Sequence, residues 1–473
     1  MEYKPITCVW EVTMGCNMRC GHCGSSCENP LPDELTTEEA LDLCDQMAEM
    51  GLRWVTLSGG EPLTRKDTPE LVKRLSDRGV SVNIITNGWL LTPQIAGTLK
   101  KSGIATVAVS IDGTEEIHDK IRKKGAFAHA REAFSILKEQ GINTGAVTTI
   151  TKQNIDIQDE LKEALIKMGV KTWQVQIGLP MGNLKERPDW LLDPSQTEDI
   201  IDFCYTVAKE GRIKIFPADC IGYYTNKELE IKKISYGTEA ISLWDGCNAG
   251  TRGFGVLQNG DILGCTSIRD RQFIEGNIRE RSLKEIWEDK NAFLWRRGIT
   301  KEMLSGSCKS CRYGSRCLGG CPNTRLTMNQ DIYSENQYCA YNQTLKKMEE
   351  VYAGSDSVEE LQEKAKLFMA HEEYQEAAYA LKRLLELEPE HVEALKMKGY
   401  CEYMCGNYLA CREDNQKAME LNAEDAYACG GYAMALHRLG NKAEGIRYIK
   451  KAVELSGYKD PDLLKDYQAM LQS

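Results

Sequence analysis

The chain has 473 residues, 42% of them hydrophobic and 27% charged, with a formal net charge of −11. That length exceeds one hydrophobic core and predicts two to four domains, and the composition is that of a folded globular protein rather than a disordered or fibrous one. The acidic excess excludes an electrostatic nucleic-acid binder, no apolar run is long enough to cross a bilayer, and the first residues lack the apolar stretch of an export signal, which together predict a soluble, cytoplasmic protein.

Between residues 6 and about 180, short β-rich runs alternate with helical stretches. The predicted strands are Thr7–Thr13, Trp54–Ser58, Val80–Thr86, Ile104–Ser110, Thr144–Ile150 and Lys171–Ile177. Helical patterns such as Thr37–Met50, Pro69–Arg78 and Ala126–Gln140 lie between them. Strands alternating with helices make βαβ units and a parallel sheet, and six repeats predict an α/β domain over 1–200 built as a partial (β/α)6 barrel of the TIM type. In such barrels the chemistry sits at the C-terminal ends of the strands. Residues 201–350 read as a smaller α+β, cysteine-rich domain. A polar hinge, 352–357, precedes a segment with an internal period of 34 residues: Tyr374 recurs as Tyr408, Ala418 as Ala452, and Leu421 as Leu455. That segment, 356–473, predicts an all-α unit that folds separately, so a chain ending near Tyr352 should keep its metal centres. Its surface is acidic.

Nineteen cysteines stand out in a chain without an export signal. In a reducing compartment they point to metal ligation rather than to disulfides. Cys16, Cys20 and Cys23 have the spacing C-x3-C-x2-C on the loop after the first strand. Three such thiolates hold three irons of a four-iron cluster and leave one iron open, whereas a structural zinc site wants four ligands, for which Cys27 is available. Gly59-Gly60-Glu61-Pro62 follows the second strand. Further along, Cys247 and Cys265 read C-x12-G-x4-C, Cys308, Cys311, Cys317 and Cys321 read C-x2-C-x5-C-x3-C, and Cys339 follows.

These motifs resemble those of the radical S-adenosylmethionine (AdoMet) enzymes with a SPASM extension. The resemblance implies a four-iron cluster on Cys16, Cys20 and Cys23, with AdoMet chelating its open iron and its amino group met by Gly59, Gly60, Glu61 and Pro62. It further implies cofactor contacts at Asn87, Ser110 and Asp112, and places His22 where relatives have an aromatic against the adenine. It implies two auxiliary iron–sulfur clusters, one on Cys308, Cys311, Cys317 and Cys339, the other on Cys247, Cys265 and Cys321. Either Cys220 supplies the eighth thiolate or one iron stays open. The C-terminal period resembles the tetratricopeptide repeat, about three units with Asp462–Leu471 as a capping helix.

The chemistry so implied is generation of a 5′-deoxyadenosyl radical that abstracts hydrogen from a substrate, with a flavodoxin- or ferredoxin-type reductant as partner. SPASM relatives mostly modify peptides and proteins, so the expected substrate is a ribosomally made peptide or protein side chain docked on the repeats. Thr266, where the sulfatase-activating branch has Asp, argues against sulfatase activation. A small molecule or tetrapyrrole precursor is the enzymatic alternative. A mere electron carrier would need no AdoMet motif.

Overall fold

The computed structural model describes residues 3–218, 220–238 and 246–472; Trp244 and Asp245, which flank Cys247, lie outside them. The chain separates into two compact units, one of Met1–Ser305 with Arg316–Tyr341, the other of Gly306–Ser315 with Asn342–Ser473. Among the described residues no helix is long and apolar enough to cross a membrane.

The first unit is organised by one ten-stranded sheet. Its strands are β1 (Thr7–Glu11), β2 (Trp54–Ser58), β3 (Ser81–Thr86), β4 (Thr106–Ser110), β5 (Asn143–Ile150), β6 (Thr172–Ile177), β7 (Lys214–Pro217), β8 (Gly253–Val256), β9 (Asp261–Leu263) and β10 (Ile274–Asn277). The order is β10-β9-β8-β1-β2-β3-β4-β5-β6-β7, parallel from β8 to β7 and antiparallel only at the β8–β9–β10 end. The six expected strands are present in sequential parallel order. The expected boundary at residue 200 does not divide the sheet, because β7 extends it beyond β6 and β8–β10 extend it beyond β1.

Side-chain alternation decides what each strand offers. Val55 and Leu57, Val82 and Ile84, and Val107 and Val109 are fully buried on one face, packed with the core that includes Leu43, Leu71 and Leu99 of the crossover helices. The opposite positions, among them Ser58, Ile85 and Ser110, are only half-buried and are left for a cavity at the strand ends. This is the period of two in a pleated strand. Cys8, Cys44 and Cys204 are fully buried core residues.

In the second unit, helices begin at Val358, Val392 and Ala426, and their partners at Tyr374, Tyr408 and Lys442, steps of 34 residues in both series. A last helix, Pro461–Gln472, follows. Small residues at the crossings, Ala365, Ala377, Ala418, Ala433 and Ala452, are fully buried, which lets successive helices approach. Cys401, Cys405, Cys411 and Cys429 are buried among them. One expected boundary is displaced: Gly306–Ser315, which carries Cys308 and Cys311, groups with the helical repeats rather than with the sheet.

Candidate active site

Where β1 ends the chain closes on itself. The Cys16 amide donates to the Glu28 carbonyl and the Glu28 amide to that of Met14, both at 2.9 Å, while Glu34 Oε1 accepts from the Met14 amide at 2.7 Å. With its backbone groups so paired, this loop is a defined ring. Cys16, Cys20 and Cys23 lie on it and line a cavity of about 390 Å³ at the strand ends. Asn183, from the loop after β6, clasps the ring: its amide donates to the Cys23 carbonyl at 2.8 Å and its Nδ2 to the Cys20 carbonyl at 3.0 Å.

The two glycines after β2 have a steric reason. A Cβ on Gly59 would stand 2.3 Å from the Thr13 carbonyl oxygen, and one on Gly60 2.3 Å from that of Gly15; Gly59 also has φ +138°. Only residues without a Cβ let the β2 loop pass this close to the cysteine ring. Both glycines line the cavity.

Glu61 and Pro62 are not among the residues that line it. Glu61 is fully buried; its Oε1 accepts from Thr86 Oγ1 at 2.8 Å and its Oε2 from the Asn87 amide at 2.7 Å. Burial raises the Glu61 carboxyl above its ordinary value, against the pull of these donors. Its task here is to fasten the β2 loop to the β3 loop, where Asn87 faces the cavity.

Asp112 is likewise turned away. It is fully buried and absent from the cavity wall, where Ser110 and His22 do appear. Its carboxylate accepts from Arg122 Nε at 2.5 Å and from the Thr149 amide at 3.0 Å, and lies 3.0 Å from His22 Nε2. Burial alone would raise the Asp112 carboxyl, but Arg122 and then His22 outweigh it and hold it well below the usual carboxylate range. Arg122, with Nη1 3.9 Å from Cys20 Sγ, puts a cation beside the cysteine ring.

The thiols are suited to iron. Burial raises Cys16, and raises Cys20 to about 11, so their thiolates await a positive partner. Cys23 is lowered to about 5, chiefly by a hydrogen bond with Cys27, which is itself raised. Cys27, whose thiol also donates to Met14 Sδ at 3.8 Å, lines the same cavity. Three soft donors on one ring, with a glycine-lined approach, fit a four-iron cluster with one open iron.

The second motif contributes to the same cavity. Cys265, Cys321 and Cys220 all line the cavity. Cys265 is raised to about 11, first by burial and then by the neighbouring Cys321. Cys247 packs in one apolar cluster with Cys265. Cys220 Sγ accepts from the Ile177 amide at 3.4 Å. Arg269, four residues past Cys265, reaches Glu11 at the end of β1 and donates to Ser25 Oγ at 2.6 Å. Sequence reasoning missed Glu11, Arg122, Asn183 and Arg269, because each acquires its role from a partner outside any local motif. Cys308 and Cys311 group with the second unit, whereas Cys317 and Cys339 group with the first.

A family model for the radical SAM superfamily matches residues 10–182, and one for the SPASM iron-sulfur cluster-binding domain matches residues 247–312. The chain is 34% identical over 352 residues to an AdoMet-dependent heme synthase of Methanosarcina barkeri, covering 72% of this chain and 98% of the relative. It is 29% identical over 324 residues to the mycofactocin maturase MftC of Mycolicibacterium smegmatis, covering 67% of this chain and 78% of the relative. Among solved structures, anSMEcpe with bound AdoMet and the Cp18Cys peptide aligns with a TM-score of 0.58 at 19% identity, over 72% of this chain and 96% of the other. SuiB of Streptococcus suis bound to S-adenosylmethionine aligns with a TM-score of 0.56 at 19% identity, over 71% and 77%. These two show a shared fold.

Proposed function

Since the chain belongs to the radical SAM superfamily and carries a SPASM iron–sulfur domain, we propose that it oxidises a side chain of a ribosomally made peptide or protein. When bound, AdoMet on the first cluster supplies a 5′-deoxyadenosyl radical that takes one hydrogen atom from the substrate. The observation that carries the reading is the shared cavity: Cys16, Cys20 and Cys23 line it together with Cys265 and Cys321. Auxiliary thiolates against the substrate space favour a net oxidation, because the second electron then has a nearby acceptor. In this reading Asn87 and Ser110 contact the cofactor, Gly59 and Gly60 admit its amino-acid end, and Arg122 balances the charge at Cys20.

The peptide substrate draws support from the second unit. Read as tetratricopeptide repeats, its helix pairs enclose a groove of about 430 Å³. Tyr400, Tyr403 and Tyr427 line it beside Asp462 and Asp466, while its Glu393 is paired with Lys396 of the same groove at 2.8 Å. Aromatic and acidic groups together suit a basic peptide stretch. The mycofactocin maturase among the relatives and the peptide-bound anSMEcpe among the neighbours agree with it.

The heme synthase relative, at 34% identity over 98% of its length, favours a second reading, a haem-precursor porphyrin as substrate. Anaerobic turnover with AdoMet and dithionite separates the two. Peptides encoded beside the gene should lose two mass units per modification, and porphyrins, Fe-coproporphyrin III included, should emerge unchanged. Porphyrin conversion with inert peptides would overturn the peptide reading.

A further inference from the structure

The second helix of the first pair, Tyr374–Leu387, carries in its first turn two polar residues that are almost fully covered. Gln375 is 6% exposed and Glu376 8%. The 34-residue period supplies an internal comparison. The matching positions are Leu409 and Ala410 in the second pair, and Ala443 and Glu444 in the third. Leu409 is 57% exposed and the Glu444 side chain 45%. This face is thus open in the later pairs and covered in the first. A charged group is rarely buried without a partner, since the desolvation cost is large.

The partners lie in Gly306–Ser315, within the same unit. Gln375 Oε1 accepts from the Arg312 amide at 3.4 Å, and Glu376 Oε2 lies 4.0 Å from Arg312 Nη1. Arg312 directly follows Cys311. The next amide, that of Tyr313, points at Cys311 Sγ at 3.4 Å, and the Arg312 guanidinium lies over the Tyr313 ring at 5.3 Å. The helix therefore accepts from the Arg312 backbone and, although Glu376 Oε2 makes no hydrogen bond, sets a carboxylate within ion-pair reach of its guanidinium, next to the Tyr313 N–H that faces the Cys311 thiol. Donors behind a cluster ligand fix its orientation and tune its redox potential.

We infer that Gln375 and Glu376 are positioning residues for the loop bearing Cys308 and Cys311, so that the first repeat helix helps to build one auxiliary cluster. This rests on reading those two cysteines as auxiliary ligands. It makes the repeats more than a removable docking module, against the separate folding that the hinge at 352–357 suggests.

The test uses the full chain, reconstituted anaerobically. The wild type should take up about twelve irons from three four-iron clusters. Gln375→Ala/Glu376→Ala should lose about a third of that iron while AdoMet cleavage without substrate survives. Leu409→Ala and Glu444→Ala, at the same positions of the later pairs, should lose none. Glu376→Gln keeps the shape without the charge, and should keep its iron but change the EPR signal and midpoint potential of one auxiliary cluster. Full iron in the double variant, with wild-type spectra and potentials in both, would overturn the inference. A wild type that binds only about four irons would defeat the auxiliary-ligand reading instead.

Discussion

Replacing Gly60 by alanine separates close approach from backbone strain. The new Cβ would lie 2.3 Å from the Gly15 carbonyl oxygen, roughly 1 Å short of ordinary contact. Its neighbour is backbone, so no flexible side chain can yield. Either the cysteine ring or the β2 loop must move by about that distance. Such overpacking costs about 1–3 kcal/mol, and a displacement of about 1 Å between reacting groups lowers rates by about a hundredfold. Gly79→Ala is the control: Gly79 has φ +83° but nothing within 4 Å of its Cβ. It should cost about 1–2 kcal/mol of stability through left-handed strain alone, with AdoMet chemistry intact. The assay pairs thermal unfolding with 5′-deoxyadenosine release under dithionite. We expect both variants to melt earlier and only Gly60→Ala to lose cleavage, by about a hundredfold. Wild-type cleavage by Gly60→Ala, with its melting point lowered like that of Gly79→Ala, would refute the steric reasoning.

Replacing Cys16, Cys20 and Cys23 together by alanine should remove about a third of the iron and all AdoMet cleavage; iron analysis and product release check this. Asn183→Ala removes the bond to the Cys20 carbonyl and should slow cleavage by about 10- to 100-fold, as losing a support behind metal ligands typically does. Asp112→Asn strands the buried Arg122 and should destabilise by about 3–5 kcal/mol in denaturant unfolding. Because the folded Asp112 carboxyl is held below its unfolded value, its stabilisation is full above about pH 4 and fades as pH falls through the lower folded value. The variant should therefore lose less stability than wild type over that acid range. Asp462→Asn/Asp466→Asn should weaken binding of a lysine-rich peptide to the full chain by roughly three- to tenfold, and added salt should reduce the wild-type affinity similarly; fluorescence anisotropy reads both.

Features set by local spacing were legible along the chain. Three cysteines within eight residues must share one loop, and Gly59-Gly60 after a strand marks a close backbone approach, which the contacts at Thr13 and Gly15 explain. The six expected strands followed from alternating β and helical periods, and the 34-residue period foretold repeating helical units, whose second helices start at 374, 408 and 442. Only the tertiary structure decided which way the strand-end carboxylates turn. Glu61 and Asp112 look alike in sequence to any polar residue beside a cofactor. Both are drawn inward because donors from other strands, Thr86 and the Asn87 amide for one, Arg122 and the Thr149 amide for the other, offer a buried carboxylate more than a cavity does. The pairing of Arg269 with Glu11 spans 258 residues, and the clasp of Asn183 on Cys20 spans 163. The hold of Gln375 on Arg312 spans 63. A periodicity reports the neighbours of a residue along its own helix or strand, whereas these bonds depend on which distant segment the folded core brings alongside.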